Sequence, residues 1–373
     1  MLKNKEDVED FVRGCTFFGT GGGGDPKLGL RLLMEDLEKD IKIKFFKIHE
    51  LNLSNQKSCG SWYMGSIAPP SDNINVIDRN SDTHAVKTPN LIKEAVTGLE
   101  NYFGEKIDIL VPFEIGGGAT PAVLDASVKL GKRMVDGDYA GGRAVPEFLQ
   151  TVPQLVNVLV SPMSLVDSKG NKAIITEATD NFMAERLGKL FTQASSGLAG
   201  LAGFVQNSSD LKISNNTVSR ALIVGRSIRE AWKKKSDPVE AASKSSGGKI
   251  IFKGKVIKSE WEDKDGYMYG THEMSGTGKY TGKRLRVWFK NENHIAWLND
   301  KPLATSPDII AQVYTETSKP ALNTTIAKGD ELSFILIRAP INFVTPWALS
   351  FTGPRHYGFD FDYMGVNNKK RDE

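Results

Sequence analysis

The first half of the chain alternates helical and strand-like hydrophobic patterns. Apolar positions at helical spacing predict a helix over 4–14, and the apolar run at 107–113 is typical of a buried strand. A glycine turn, a helical pattern at 120–130 and a short strand at 133–135 follow it. Strand, helix and strand in this order predict a βαβ unit with parallel strands. The apolar run at 155–160 predicts a further parallel strand.

The second half follows a different pattern. Helical periodicity predicts helices over 176–193 and 218–234, and short alternating runs from 249 onward are typical of antiparallel strands. The small, polar stretch from Pro238 to Gly248 predicts a loop or linker. Two hairpin turns are predicted, at Asp265-Gly266 and at Asn291-Glu292-Asn293.

These patterns predict two domains. We expect an α/β domain with a parallel or mixed sheet at 1–165 and a C-terminal domain at 166–366. The C-terminal domain is expected to be helical over 176–234 and β-rich, with antiparallel strands, from 249. Residues 367–373 are charged and predict a disordered tail.

Composition narrows the class of protein. The 373 residues are 40 % hydrophobic, which excludes a largely disordered chain, and the net charge of +3 is weak for a nucleic-acid binder. No apolar stretch is long enough to span a membrane. The two cysteines, Cys15 and Cys59, form no zinc-site spacing and no disulfide scaffold. We therefore expect a cytoplasmic protein with a small-molecule substrate, without nucleic-acid or membrane partners, and a homo-oligomer stays open.

The first candidate for chemistry is the glycine loop 19–25, in a chain with 36 glycines. It contains GxGxxG, but only Thr16–Phe18 separate it from a helix, whereas a dinucleotide fingerprint follows a buried strand. Peptide N–H groups of such a loop can hold an anion or a carbonyl at a helix N-terminus. Ligand binding is favoured over a plain turn capped by Asp25. The candidate residues are Gly21, Gly22, Gly23, Gly24 and Asp25.

The second candidate follows the buried strand at 107–113. Glu114 and three glycines stand where ligands bind in open α/β sheets, at the carboxyl end of a strand. Glu114 is a candidate catalytic residue, and a solvated glutamate beside a turn is the alternative. The glycines expected to admit substrate are Gly116, Gly117 and Gly118.

The third candidate is the loop 136–143, at the end of the next strand. If the two strands are neighbours, Asp136 approaches Glu114, and paired carboxylates can form a general base or hold a hard cation. Asp138 is a further candidate base, and Arg143 is a candidate for binding a substrate oxygen. A salt-linked loop is an equal alternative. We expect this loop and both glycine loops to line one cleft.

The fourth candidate is His356, between glycines near the C-terminus. It is a candidate proton shuttle, and a turn between core strands is the alternative. The sequence requires no cofactor and leaves a divalent metal open. The candidate metal ligands are Asp25, Asp136, Asp138 and His356.

Taken together, these motifs resemble the S-methyl thiohydantoin desulfurase family, which is associated with hydantoinase and oxoprolinase systems. The resemblance covers nearly the whole chain. Its N-terminal blocks are TFFGTGGGGDPKLG at 16–29, LVPFEIGGG at 110–118 and VDGDYAGGRAVPE at 135–147. Its C-terminal blocks are FKGKVI at 252–257, FKNENHIA at 289–296, TSPDIIAQVYTETSKPA at 305–321 and GPRHYGFDFDY at 353–363.

The resemblance implies an α/β domain followed by a β-rich domain. It also implies hydrolysis of an S-methyl thiohydantoin, with release of methanethiol and a hydantoin product. The chain has Gly65-Ser66-Ile67-Ala68-Pro69 where members of the family have Gly-Ala-Pro, a difference that bears on the substrate. Two other functions stay open: a non-catalytic binding subunit beside a hydantoinase-type enzyme, and a nucleotide-dependent enzyme that uses the Gly19–Gly24 loop.

Overall fold

The computed structural model describes residues 1–68, 90–195 and 197–365, and the tail predicted at 367–373 lies outside them. Local side chains explain where its helices begin. Asn4 accepts a hydrogen bond from the Asp7 N–H at the start of α1, and Asp25 accepts one from Lys27 at the start of α2. The helices are α1 (Lys5–Phe18), α2 (Pro26–Glu38), α3 (Leu91–Phe103), α4 (Ala119–Lys129), α5 (Asn181–Ala194), α6 (Thr217–Lys233), α7 (Pro238–Ser246) and α8 (Pro346–Thr352).

The N-terminal unit is built on a mixed sheet of seven strands. Its strands and a separate two-stranded ribbon, β5 with β9, are β1 (Phe45–Phe46), β2 (Lys57–Gly65), β3 (Ile109–Pro112), β4 (Arg133–Val135), β5 (Gly137–Asp138), β6 (Met163–Asp167), β7 (Lys172–Ile175), β8 (Leu198–Asn207) and β9 (Ser214–Asn215).

Strand β2 divides the mixed sheet into a parallel and an antiparallel half. The strand order is β1-β4-β3-β2-β8-β6-β7, and β2 is parallel to β3 but antiparallel to β8. The neighbours β3 and β4 are parallel, as the βαβ pattern predicts. Strands β6, β7 and β8 belong to this sheet and extend from residue 163 to residue 207. The α/β unit therefore includes residues on both sides of position 165, the boundary expected from sequence.

The C-terminal sheet is antiparallel throughout. Its strands are β10 (Lys249–Lys264), β11 (Tyr267–Gly276), β12 (Arg284–Lys290), β13 (Glu292–Leu298), β14 (Lys301–Thr305), β15 (Ile309–Tyr314) and β16 (Glu331–Ile337). The order β14-β13-β12-β11-β10-β16-β15 brings the edge strand β15 into contact with β13 and β14, so the sheet curls around its own apolar core. Its other face packs on α1 and α7 and contributes Ile309, Val313 and Ile337 to the larger apolar core.

Three local predictions are wrong. The stretch expected to be helical at 176–234 contains strands β8 and β9 between α5 and α6. The stretch expected as a linker is helix α7, because Asp237 caps it and Pro238 fits its first turn. The run expected as a strand at 155–160 forms turns instead. The Asn181 side chain accepts a hydrogen bond from the Val160 N–H and donates one to the Val158 carbonyl, which holds this segment against α5. Among the described residues, none of the helices is long and apolar enough to cross a membrane.

Helices α1 and α6 touch through glycines. A Cβ atom at Gly14 would lie 1.7 Å from the Ala221 carbonyl oxygen, and one at Gly225 would lie 1.8 Å from the Asp10 carbonyl oxygen. The Asp10 carboxylate also binds Arg229 across this contact, at 2.8 Å. The close approach of the two backbones therefore depends on the missing side chains.

We expect Gly225→Ala to destabilise the protein, because the added methyl group would force α1 and α6 apart. Overpacking of this kind costs about 1–3 kcal/mol of unfolding free energy. Urea unfolding followed by circular dichroism measures the change. Ile223→Ala, at an exposed position of the same helix, is the control and should lie within about 0.5 kcal/mol of wild type. Equal stability of Gly225→Ala and wild type would contradict this account of the crossing.

Candidate active site

The two glycine loops contact each other through bare backbone. The Gly118 and Ala119 N–H groups both donate to the Gly23 carbonyl, at 3.0 and 3.3 Å. A Cβ atom at Gly116 would lie 2.5 Å from the Gly23 Cα, so no other residue fits there without movement. The loop at 116–118 thus supports the first loop from behind. Its peptides bind protein groups, since the Gly116 N–H donates to the Thr120 hydroxyl.

A cavity of about 840 Å³ opens beside the first glycine loop. Elements of both sheets form its walls: the end of β2, one face of α5, the β10–β11 turn and the β12–β13 turn. Trp62, Phe113 and Phe148 form an aromatic wall with ring centroids 5.1–5.7 Å apart. Of the residues proposed from sequence, those that line the cavity are Gly21, Gly22, Gly23, Gly24, Asp25 and Glu114.

A pair of buried glutamates lies in the cavity wall. Glu114 Oε2 accepts a hydrogen bond from the Val145 N–H at 2.8 Å, and Glu292 Oε1 accepts one from the Gly23 N–H at 3.1 Å. Glu292 is 2 % exposed, and its Oε2 has no hydrogen-bond partner among the described residues. An oxygen of this kind is suited to accept a proton from a bound molecule.

Burial and mutual repulsion govern the charge of this pair. Burial raises the pKa of Glu292 to about 7, although the nearby Arg143 opposes the shift. Burial, and then the Glu292 carboxylate, raise the pKa of Glu114 well above its ordinary value. Two carboxylates in such surroundings cannot both ionise easily, so the pair holds a proton near neutral pH.

Helix α5 adds a third buried acid, Glu185, and a buried cation, Lys189. Glu185 accepts hydrogen bonds from the Tyr267 hydroxyl at 2.6 Å and from the Phe148 N–H at 2.8 Å. Burial raises the pKa of Glu185 to about 7 and lowers the pKa of Lys189 to about 8. The Lys189 ammonium donates to the Gly266 carbonyl at 3.1 Å. Lys189 is therefore a buried cation in the cavity wall whose charge opposes the rise in the pKa of both Glu185 and Glu292.

The Tyr267 ring lies between two ammonium groups. Lys189 Nζ is 3.8 Å and Lys290 Nζ is 4.1 Å from the ring centroid. Lys290 in turn pairs with Glu147, whose other oxygen lies 2.7 Å from His356 Nε2. Burial alone would raise the pKa of Glu147, but His356 and Lys290 lower it to about 2. His356 therefore faces an ion pair behind the cavity wall.

The structure places the third loop behind the cavity as well. Asp136 Oδ1 accepts from the Ser219 N–H in the first turn of α6, at 2.8 Å. The Asp138 carboxylate closes its own loop by accepting from the Ala140 and Gly142 N–H groups, and burial raises its pKa to about 7. Asp136 and Glu114, at neighbouring strand ends, thus point to different surroundings.

Each nitrogen of the Arg143 guanidinium donates to a backbone carbonyl. It donates to Ala144 at 3.0 Å, to Asn293 at 3.0 Å and to Asp308 at 3.2 Å. The Arg143 charge opposes the rise in the pKa of Glu292 through space. Its N–H groups, however, donate to backbone carbonyls of the protein. Within the described part of the chain, no three His, Cys, Asp or Glu side chains are grouped so as to hold a metal ion. The four metal candidates therefore do not form a site there.

The sequence patterns do not single out the three buried charged residues Glu292, Glu185 and Lys189 of the cavity. Glu292 begins β13 directly after the hairpin turn, and the turn signal at Asn291 conceals it. Glu185 and Lys189 are four residues apart and share the buried face of α5. Their signal is the spacing of four residues, which puts an acid and a base on one side of the helix but does not tell whether that side is buried.

The chain thus folds as two units, with a cavity lined by carboxylates between their sheets. Two family models match the chain, the S-Me-THD-like N-terminal domain over residues 6–177 and the S-Me-THD-like C-terminal domain over residues 179–366. The chain therefore belongs to the S-Me-THD-like family, in agreement with the resemblance of its motifs.

A solved structure shares this fold. It is the X-ray crystal structure of a protein from Chromobacterium violaceum, with a TM-score of 0.76 and 21 % sequence identity. The match covers 97 % of this chain and 99 % of that chain. No curated protein matches the sequence.

The charge of Glu292 makes the stability of the protein depend on pH. Its pKa is about 7 in the folded state against an ordinary 4.5, so the folded chain binds the proton more tightly. Stability from this group is present below about pH 4.5 and is lost as pH rises through about 7. Glu292→Gln keeps the acceptor for Gly23 but does not titrate. We therefore expect its unfolding free energy to fall by about 1–3 kcal/mol less than that of wild type as pH rises. Urea unfolding of both proteins at pH 5 and pH 8 measures the difference, and equal losses would contradict it.

Proposed function

We propose that the protein is a hydrolase that removes methanethiol from an S-methyl thiohydantoin or a closely related cyclic thioimidate. Family membership supports the substrate class. The observation that carries the catalytic assignment is the unpartnered Oε2 of Glu292, a buried oxygen on a cavity-lining residue whose pKa is about 7. A base with such a pKa accepts protons near neutral pH.

In the proposed reaction, Glu292 accepts a proton from water as the water oxygen adds to the ring carbon that bears sulfur. The electron pair of the C=N bond moves to nitrogen, which takes up the proton that Glu292 accepted. The hydroxyl group of the tetrahedral intermediate then gives its proton to Glu292 as the C=O bond forms and the C–S bond breaks. Sulfur leaves as methanethiol after it receives a proton from the cavity acids. The two protons of water thus end on the ring nitrogen and on sulfur.

The other cavity residues have complementary roles in this proposal. The aromatic wall of Trp62, Phe113 and Phe148 offers flat apolar surface to a planar ring. The Lys189 ammonium stabilises negative charge that develops on the ring or on sulfur. Glu114 keeps its proton when Glu292 is ionised, because burial and the Glu292 charge raise the pKa of Glu114 well above its ordinary value. A cavity of about 840 Å³ leaves room for a side arm on the ring.

The position of Glu292 weighs against a nucleotide at the first glycine loop. The Gly23 N–H donates to a carboxylate, in the place where a phosphate oxygen would need that donor. Bringing a phosphate beside Glu292 and Glu114 would add charge repulsion. A non-catalytic binding subunit would use the same cavity, and turnover by the isolated protein separates it from a hydrolase.

We expect Glu292→Gln to lower turnover about 10²–10⁴-fold with a modest loss of ligand binding, because the amide keeps the shape but cannot accept the proton. Methanethiol release from S-methyl thiohydantoins measures turnover. Asp167→Asn, a buried carboxylate in the β6–β7 turn, is the matched control and should stay within a few-fold of wild type. Loss of turnover in Asp136→Asn but not in Glu292→Gln would overturn the assignment. Chelator-treated wild type should retain turnover.

The proposed base also predicts a pH profile. Glu292 must be ionised to accept a proton, so kcat/KM should fall about tenfold per pH unit below its pKa of about 7. The residual activity of Glu292→Gln should lack this slope. A profile from pH 5 to pH 9 measures both, and an unchanged slope in the variant would assign the titration to another group.

A further inference from the structure

Helix α5 buries polar side chains and exposes large apolar ones. Its buried face carries the polar residues Glu185, Lys189 and Thr192, which line the cavity. Its exposed face carries four large apolar side chains, with Leu190 61 % and Phe182 50 % exposed and Met183 and Leu187 beside them, together with the polar Arg186 and Gln193. A surface helix ordinarily shows the opposite arrangement. The apolar face therefore requires a partner.

The preceding loop enlarges this apolar surface. The Asn181 side chain is hydrogen-bonded to Val158 and Val160, which holds Leu159, 52 % exposed, beside the start of α5. We call the surface formed by Leu159, Phe182, Met183, Leu187 and Leu190 the α5 patch. Contiguous exposed apolar surface of this kind marks an interaction site.

The charges around the α5 patch favour a second copy of this chain as the occupant. The exposed Asp180 caps the helix by accepting from the Met183 N–H, and the exposed Arg186, six residues later, lies over the Phe182 ring. Each is three residues from Met183. If two copies meet through the N-terminal ends of their α5 helices, antiparallel about a two-fold axis at Met183, Arg186 of each copy lies opposite Asp180 of the other. The same axis brings Leu187 toward the Leu159 end of the second copy.

We propose that the α5 patch is the interface of a homodimer with its two-fold axis at Met183. Such an interface is self-complementary, with apolar contacts at its centre and Asp180–Arg186 pairs on both sides. Because the opposite face of α5 lines the cavity, dimer formation fixes the helix that carries Glu185 and Lys189. The proposal does not depend on the reaction catalysed.

The first test is the mass of the full-length protein in solution. Wild type should elute at twice 41.0 kDa in size exclusion with light scattering. Leu187→Glu combined with Leu190→Glu should raise the dimer dissociation constant at least ~100-fold, because each copy would bury two unpaired charges. Ile223→Glu, an exposed apolar position on α6, is the control and should stay dimeric. A monomeric wild type, or a dimer that survives the double substitution, would overturn the proposal.

A second test avoids dependence on variants that disturb packing. Met183→Cys places one thiol per copy at the proposed axis, and the native Cys15 and Cys59 are both buried. Mild oxidation should give a covalent dimer of Met183→Cys and none of Ile223→Cys. Equal cross-linking of the two variants, or none in either, would contradict the axis. Binding of a monomeric wild type to phospholipid vesicles would assign the α5 patch to a membrane surface and overturn the dimer.

Discussion

The contact between two loops without side chains determines where the cavity lies. Gly23 and Gly116 approach so closely that a Cβ atom on either would overlap the backbone of the other. Gly23 uses its carbonyl for the second loop and its N–H for Glu292. One residue thus joins the start of α4, the loop before α2 and the curled sheet, and the cavity walls follow from that junction.

Burial divides the acids around this junction into two classes. Glu147 keeps its charge because Lys290 and His356 stand against it, and its pKa lies near 2. Glu292 and Glu185, with pKa values of about 7, lack that compensation, since Arg143 is engaged by carbonyls and Lys189 is itself desolvated. Acids of the second class exchange protons near neutral pH, so they are suited to chemistry, whereas Glu147 is suited to holding the wall together.

Local patterns predict most of the elements but only part of the cavity. The βαβ unit, the antiparallel half and Glu114 at a strand end depend on periodicity and short-range turns, which the sequence displays directly. Glu292 meets Gly23 across 269 positions, and such a contact depends on how two sheets pack. Asp136 and Arg143 have the right residue types, but α6 and backbone carbonyls compete for them more effectively than a ligand. Strand order predicts proximity and does not predict which neighbour a side chain binds.

The hydrogen bond between Gly23 and Glu292 joins residues from the two family domains. A chimera that combined residues 6–177 of one relative with residues 179–366 of another would have to keep this pair and the backbone that positions it. Tyr267, which reaches from the C-terminal sheet to Lys189 on α5, lies within a single domain and imposes no such condition. The condition on Gly23 and Glu292 holds as well for the glycine contact between α1 and α6 and for the pairing of β2 with β8, which also join the two family domains. At these places the two domains must be inherited together.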